Sequence, residues 1–122
     1  MADPSRIRPF VLVVEDEALV RDCTVAELED AGFAVIEASD AEEGLREFEG
    51  HALVTTVFSD INMPGAFDGL SLMHKIFRLR PDVQLILTSG RGVPLGAEMP
   101  LGARFLLKPY HANQLTSLIK AA

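Results

Sequence analysis

The chain has 122 residues, 48% of them apolar and 24% charged, with 18 acidic against 11 basic side chains for a formal charge of −7. That length fits one compact domain spanning residues 1–122 and leaves no room for a second. The acidic balance argues against a surface that tracks nucleic-acid phosphates, and no apolar run nears the ~20 residues that span a bilayer. Cys23 is the sole cysteine, which excludes an internal disulfide and suits a reducing, cytoplasmic compartment. Residues 1–9 carry Arg6 and Arg8 but lack the apolar core and cleavage pattern of a secretory leader, so the chain reads as a mature soluble protein.

The first element is Phe10-Val11-Leu12-Val13-Val14, a continuously apolar run of the kind found in central parallel strands, and it ends in Glu15-Asp16-Glu17. A helix follows. Val20, Cys23, Thr24, Leu28 and Ala31 recur at helical spacing, Arg21, Asp22, Glu29 and Asp30 fall on the other side, and Gly32 supplies the stop. Cys23 is therefore expected in the core. Phe33 to Ala38 reads as a second strand. Ser39 or Asp40 caps a second helix from Ala41 to Phe48, with Leu45 and Phe48 turned inward.

The third strand, Val54-Thr55-Thr56-Val57-Phe58-Ser59-Asp60, is β-branched and apolar and stops on a carboxylate; Pro64 and Gly65 close it. A third helix carries Leu70, Met73, Ile76 and Phe77 on one face and is ended by Pro81. Val83 to Thr88 is a fourth strand running into Ser89-Gly90. Phe105-Leu106-Leu107 is a short fifth strand ending at Lys108-Pro109, and Leu115, Leu118 and Ile119 stripe the last helix. Between strands four and five, residues 91–102 hold two prolines and three glycines, so any helix there is at most a turn or two. Strands alternating with helices on short connections imply a parallel sheet with right-handed crossovers and helices on both faces.

In such a sheet ligands bind at the carboxyl ends of the strands. An aspartate after one strand is as well explained as a loop cap, but Asp60 has company: Glu15 and Asp16 after the first strand, Thr88 and Ser89 after the fourth, Lys108 after the fifth. Neighbouring strands lie ~4.8 Å apart, so these side chains can share one crevice. Three carboxylates together take up protons or recruit a cation. An oxygen-only donor set selects a hard ion, with octahedral Mg2+ the best match. Charges of about −3 from the acids, +1 from Lys108 and +2 from the ion bring the site near neutrality, which lets it accept a phosphoryl group. Asp60 then has the chemistry of a nucleophile, and Lys108 with a Ser or Thr hydroxyl that of donors to the developing charge.

Four stretches, each at a strand end, together resemble the receiver domain of two-component response regulators. They are Val13-Val14-Glu15-Asp16-Glu17, Ser59 to Pro64 with Asp68-Gly69, Leu87-Thr88-Ser89-Gly90, and Phe105 to Tyr110. The resemblance covers nearly the whole chain and implies a flavodoxin-like (βα)5 fold with strand order 2-1-3-4-5, here with a shortened fourth helix. It implies that Asp60 accepts a phosphoryl group from a histidine kinase or a histidine phosphotransfer protein. It further implies that Glu15, Asp16, Asp60 and the backbone carbonyl of Asn62 hold Mg2+, that Lys108 pairs with the phosphoryl oxygens, and that Lys108-Pro109 is cis. Ser89, chosen over Thr88 by register, is the implied switch hydroxyl and Phe105 the switch aromatic.

Two departures stand out: the loop at Gly65-Ala66-Phe67 is one residue longer than usual, and the shortened fourth helix casts doubt on an output surface built there. His111 stands where a capping Ser or Thr often sits, while His51 and His74 fit loop and solvated-helix positions without metal-ligand company. The short tails favour a single-domain regulator that signals by binding a protein target, with a receiver segment of a hybrid histidine kinase as the alternative. A Mg2+-dependent phosphatase working through an aspartyl-phosphate would want a second Asp where Asn62 stands. A nucleotide or flavin module would want a glycine-rich loop where Glu15-Asp16-Glu17 stands.

Overall fold

The computed structural model describes residues 10–93 and 98–121. Its strands are β1 (Phe10–Val14), β2 (Ala34–Ala38), β3 (Val54–Asp60), β4 (Gln84–Ser89) and β5 (Arg104–Leu107); its helices are α1 (Ala18–Asp30), α2 (Ala41–Gly50), α3 (Gly69–Leu79) and α4 (Ala112–Ala121). The strands form one parallel sheet in the order β2-β1-β3-β4-β5. This is the doubly wound, flavodoxin-like arrangement, with its central strands apolar on both faces because helices cover both.

Strand alternation divides the core in two. Leu12, Val14, Val57, Leu85 and Leu87 point to one side, where α2 supplies Ala41 and Phe48 and α3 supplies Leu72, Met73 and Ile76. Val11, Val13, Phe58 and Ile86 point to the other, against Leu28 of α1 and Leu115 and Ile119 of α4. Gly32, at φ 98°, turns the chain out of α1 so that Phe33 is buried just before β2. Asp40 and Asp68 cap α2 and α3, accepting hydrogen bonds from the backbone N–H of Glu43 (2.8 Å) and Ser71 (2.9 Å). At the start of α4 the backbone N–H of His111 donates to Gln114 Oε1 at 2.7 Å, the return half of a capping box.

Two expectations change. Cys23 is exposed, not core. Thr24 and Leu28 are the buried residues of α1, and Cys23 lies roughly 100° around the helix from Thr24, which turns it out of the packed stripe. His74 is more than a solvated helix residue: its Nε2 sits 2.6 Å from the carbonyl oxygen of Glu98 and ties α3 to the β4–β5 connection. In that connection the described residues 91–93 and 98–103 contain no helix, while residues 94–97 of the expected short helix lie outside the described residues. Met99 and Ala103 pack against the α2/α3 side of the core, as Phe105 does.

Candidate functional site

Strand register assembles the site. Val14 pairs with Ser59, so Glu15 and Asp60 emerge side by side from β1 and β3; Asp60 pairs with Thr88, and Ser89 with Leu107, which puts Lys108 just beyond Ser89. The backbone N–H of Lys108 donates to the Ser89 carbonyl at 3.0 Å, continuing the ladder one residue past the strand. The Lys108–Pro109 peptide is cis.

From there the Lys108 ammonium reaches back across the strand ends and donates to Glu15 Oε1 and Asp60 Oδ2, both at 2.7 Å. The other oxygen of Asp60 accepts a hydrogen bond from the backbone N–H of Asn62 at 3.0 Å. Glu15 is 4% exposed and Asp60 8%, while Asp16 is open to solvent. Burial pushes the Glu15 carboxyl up from its ordinary value, against the hydrogen bond and charge of Lys108, which pull it down. Burial alone would lower the Lys108 ammonium; its hydrogen bonds to Asp60 and Glu15 outweigh that and hold it above the ordinary lysine range. The lysine is therefore a fixed positive charge on the crevice wall.

Carboxylate oxygens of Glu15, Asp16 and Asp60 lie within 4.8 Å of one another. Two of these acids are buried and share one ammonium, so the trio carries excess negative charge, and its donors are oxygen alone. That donor set fits a hard divalent ion.

The two hydroxyls at the end of β4 are separated by strand alternation. Thr88 Oγ1 donates to the Leu106 carbonyl at 2.7 Å and is spent on the sheet. Ser89 Oγ instead accepts from the Asn62 side-chain amide at 3.1 Å and from the Arg91 backbone N–H at 3.0 Å, beside the acids. Phe105 is half-buried against the α2/α3 side of the core. Asp60, Glu15, Asp16, Asn62, Ser89 and Lys108 thus meet at one edge, whereas Phe105 belongs to the packed layer beside it.

Gly69 bears on the site through space: a Cβ there would stand 1.8 Å from the Asp60 carbonyl oxygen, so the first turn of α3 presses on the backbone of Asp60 itself. Two further residues were not legible as site residues in the sequence. Arg21, read as a solvent-face residue of α1, donates from Nη1 to the Glu15 carbonyl at 2.8 Å. Tyr110 shares a 3.1 Å hydrogen bond with Thr24 Oγ1 and meets Phe58 edge-on, fixing the turn after Lys108. A lone arginine six residues beyond Glu15 on the helix that starts there was the available signal for the first.

This fold and cluster define a phosphorylation-dependent signalling switch. Residues 11–120 match the response regulator receiver domain, and the chain belongs to that family. It is 36% identical over 115 residues to the transcriptional regulatory protein FixJ of Bradyrhizobium diazoefficiens, covering 92% of this chain and 55% of FixJ. It therefore spans about half the length of that relative. Among solved structures it is similar to a response regulator receiver domain protein from Clostridium thermocellum, with TM-score 0.85, 30% identity, and coverage of 93% of this chain and 92% of that one. It is also similar to the response regulator TrrA of Thermotoga maritima in complex with Mg2+-BeF, with TM-score 0.84, 26% identity, and coverage of 93% and 97%. Among the described residues no helix is long and apolar enough to cross a membrane.

Proposed function

We propose that this chain is a receiver unit whose Asp60 accepts a phosphoryl group from the phosphohistidine of a histidine kinase or histidine phosphotransfer protein. The observation that carries the proposal is the placement of Lys108 Nζ at 2.7 Å from both Asp60 Oδ2 and Glu15 Oε1, with Asp16 beside them. An Asp60 oxygen forms the new bond to phosphorus while the bond from phosphorus to the donor imidazole nitrogen breaks, the electron pair leaving with the imidazole. Lys108, which touches the Asp60 carboxylate, would donate to an oxygen of the phosphoryl group formed there. Glu15, Asp16, Asp60 and the backbone carbonyl of Asn62 would hold Mg2+, which when bound supplies the positive charge that lets an anionic donor approach three carboxylates.

Ser89 gives up its bonds to Asn62 and Arg91 to serve the phosphoryl group, and that pull on the start of the β4–β5 connection is transmitted to Phe105 and the surface around it. The readout is binding of a downstream protein, in the cytoplasm, without direct contact to nucleic acid or membrane. The chain works as a phosphoacceptor that assists its own phosphorylation and dephosphorylation rather than as an enzyme with turnover of its own. A phosphatase working through the same aspartyl-phosphate needs an acid two residues after the acceptor, and the Asn62 amide has no carboxyl proton to give.

Incubation with acetyl phosphate and Mg2+, followed by intact mass and phosphate release, separates the two. A phosphoprotein that persists for many seconds to hours is expected. Rapid, repeated hydrolysis of many phosphomonoesters would assign the chain to the phosphatases.

A further inference from the structure

The turn that carries Glu15 and Asp16 is held from one residue of α1. The backbone N–H of Arg21 donates to the Glu17 carbonyl at 2.9 Å, and its guanidinium donates from Nη1 to the Glu15 carbonyl at 2.8 Å. The side chain is only 19% exposed, and its Nε lies 3.4 Å from Glu37 Oε1 at the end of β2. On the other side of the same residue the Glu15 backbone N–H donates to the Ala38 carbonyl at 3.1 Å. A peptide unit is planar, so fixing the Glu15 carbonyl also fixes the direction in which the chain, and with it the Asp16 side chain, leaves that residue. A mostly buried arginine is here directed at a main-chain oxygen, with the partner carboxylate of Glu37 47% exposed.

We propose that Arg21 is a positioning residue for the acidic site: it clamps the Glu15–Asp16 peptide so that both carboxylates stay trained on Asp60. The proposal rests on the reading of Glu15 and Asp16 as ligands of a divalent cation. Two effects of Arg21 on such an ion oppose each other. Its positive charge repels the ion, and its hydrogen bond organises the ligands; groups that orient metal ligands change affinity by about 10- to 100-fold when removed. The geometry favours the second effect, because the guanidinium is spent on a main-chain oxygen and its charge is partly offset by Glu37.

The test is titration of the wild type and variants with Mg2+, followed through backbone amide shifts, which also report whether each variant is folded. Arg21→Gln is expected to weaken Mg2+ binding by about tenfold. Arg21→Lys keeps the charge but offers one point donor for two acceptors, and is expected to fall between, at about two- to fourfold weaker. Glu37→Gln leaves the carbonyl clamp in place and is expected to stay within about twofold of wild type. Equal or tighter binding by Arg21→Gln would overturn the proposal, since simple electrostatics predicts that sign. A loss in Glu37→Gln as large as in Arg21→Gln would also overturn it. Should Arg21→Gln not fold, Arg21→Lys decides: wild-type affinity in that variant contradicts a clamp that depends on the guanidinium. A wild type that takes up no Mg2+ at millimolar concentration overturns the reading of the site, and the role of Arg21 with it.

Discussion

Lys108 and Asp60, 48 residues apart in sequence, are joined by a 2.7 Å hydrogen bond, and the same ammonium makes an equally short one to Glu15. The lysine thereby balances two carboxylates that the strand register forces together. Removing one partner of a buried ion pair costs about 3–5 kcal/mol because the remaining charge is left uncompensated. Lys108→Met is accordingly expected to lower stability by about 3 kcal/mol near pH 7, read as the midpoint of urea unfolding without metal. Added Mg2+ should restore more stability to this variant than to wild type, since an ion that binds only the folded state stabilises by mass action. An unchanged midpoint would mean that the lysine does not compensate the acids.

Gly69 is the steric gate on Asp60. An added Cβ would fall 1.8 Å from the Asp60 carbonyl oxygen, 2.8 Å from its carbon and 2.9 Å from Ser59 Oγ, two of the three being backbone that cannot swing aside. Gly69→Ala should cost about 3 kcal/mol or more and displace the amide signals of Asp60 and Ile61. Gly50, where nothing lies within 4 Å of an added Cβ, provides the contrast. Gly50→Ala should be neutral or stabilising by up to about 1 kcal/mol.

Thr88 and Ser89 are adjacent hydroxyls with different duties. Thr88→Val removes the bond to the Leu106 carbonyl and should cost about 1–3 kcal/mol while leaving phosphorylation intact. Beryllofluoride is expected to shift the amides of residues 98–105 in wild type; Ser89→Ala removes the hydroxyl that faces Asn62 and Arg91, and those shifts should be lost. The reverse pattern would hand the switch role to Thr88.

Tyr110 offers a check at alkaline pH. Burial raises its phenol above the ordinary value of 10.0, opposed by the hydrogen bond to Thr24. The unfolded chain therefore releases this proton first, so the contribution of Tyr110 is complete below about pH 10 and is lost as pH rises through the folded value. Tyr110→Phe should cost about 1 kcal/mol at neutral pH and flatten the fall in stability above pH 10. A variant whose alkaline limb matches wild type would exclude Tyr110 as a contributor.

Much of this was legible because strands buried on both faces have an unmistakable pattern. The runs from Phe10 and Val54 both end on carboxylates, and their apolar continuity fixed the strand ends, hence Glu15, Asp16 and Asp60, to the residue. Lys108 followed from the shorter β5 in the same way. Helix faces were harder. In α1 the apolar residues Leu19, Val20, Cys23, Val25 and Leu28 do not concentrate on one side, so periodicity did not distinguish the buried Thr24 and Leu28 from the exposed Cys23. The bonds of Arg21, His74 and Tyr110 join positions distant in sequence or reach main-chain oxygens, and neither leaves a periodic trace. The prolines and glycines between β4 and β5 signalled at most a turn or two of helix there, and the described residues hold none; the tether from His74 to Glu98 left no such signal.

Phosphoryl transfer as proposed requires one carboxylate, that of Asp60. Wild type and Asp60→Asn are incubated with acetyl phosphate and Mg2+, weighed intact, and the adduct is mapped by peptide fragmentation. One phosphoryl adduct on wild type, located at Asp60 and absent from the variant, is the predicted result. An adduct that persists in Asp60→Asn, or maps to another side chain of wild type, contradicts it.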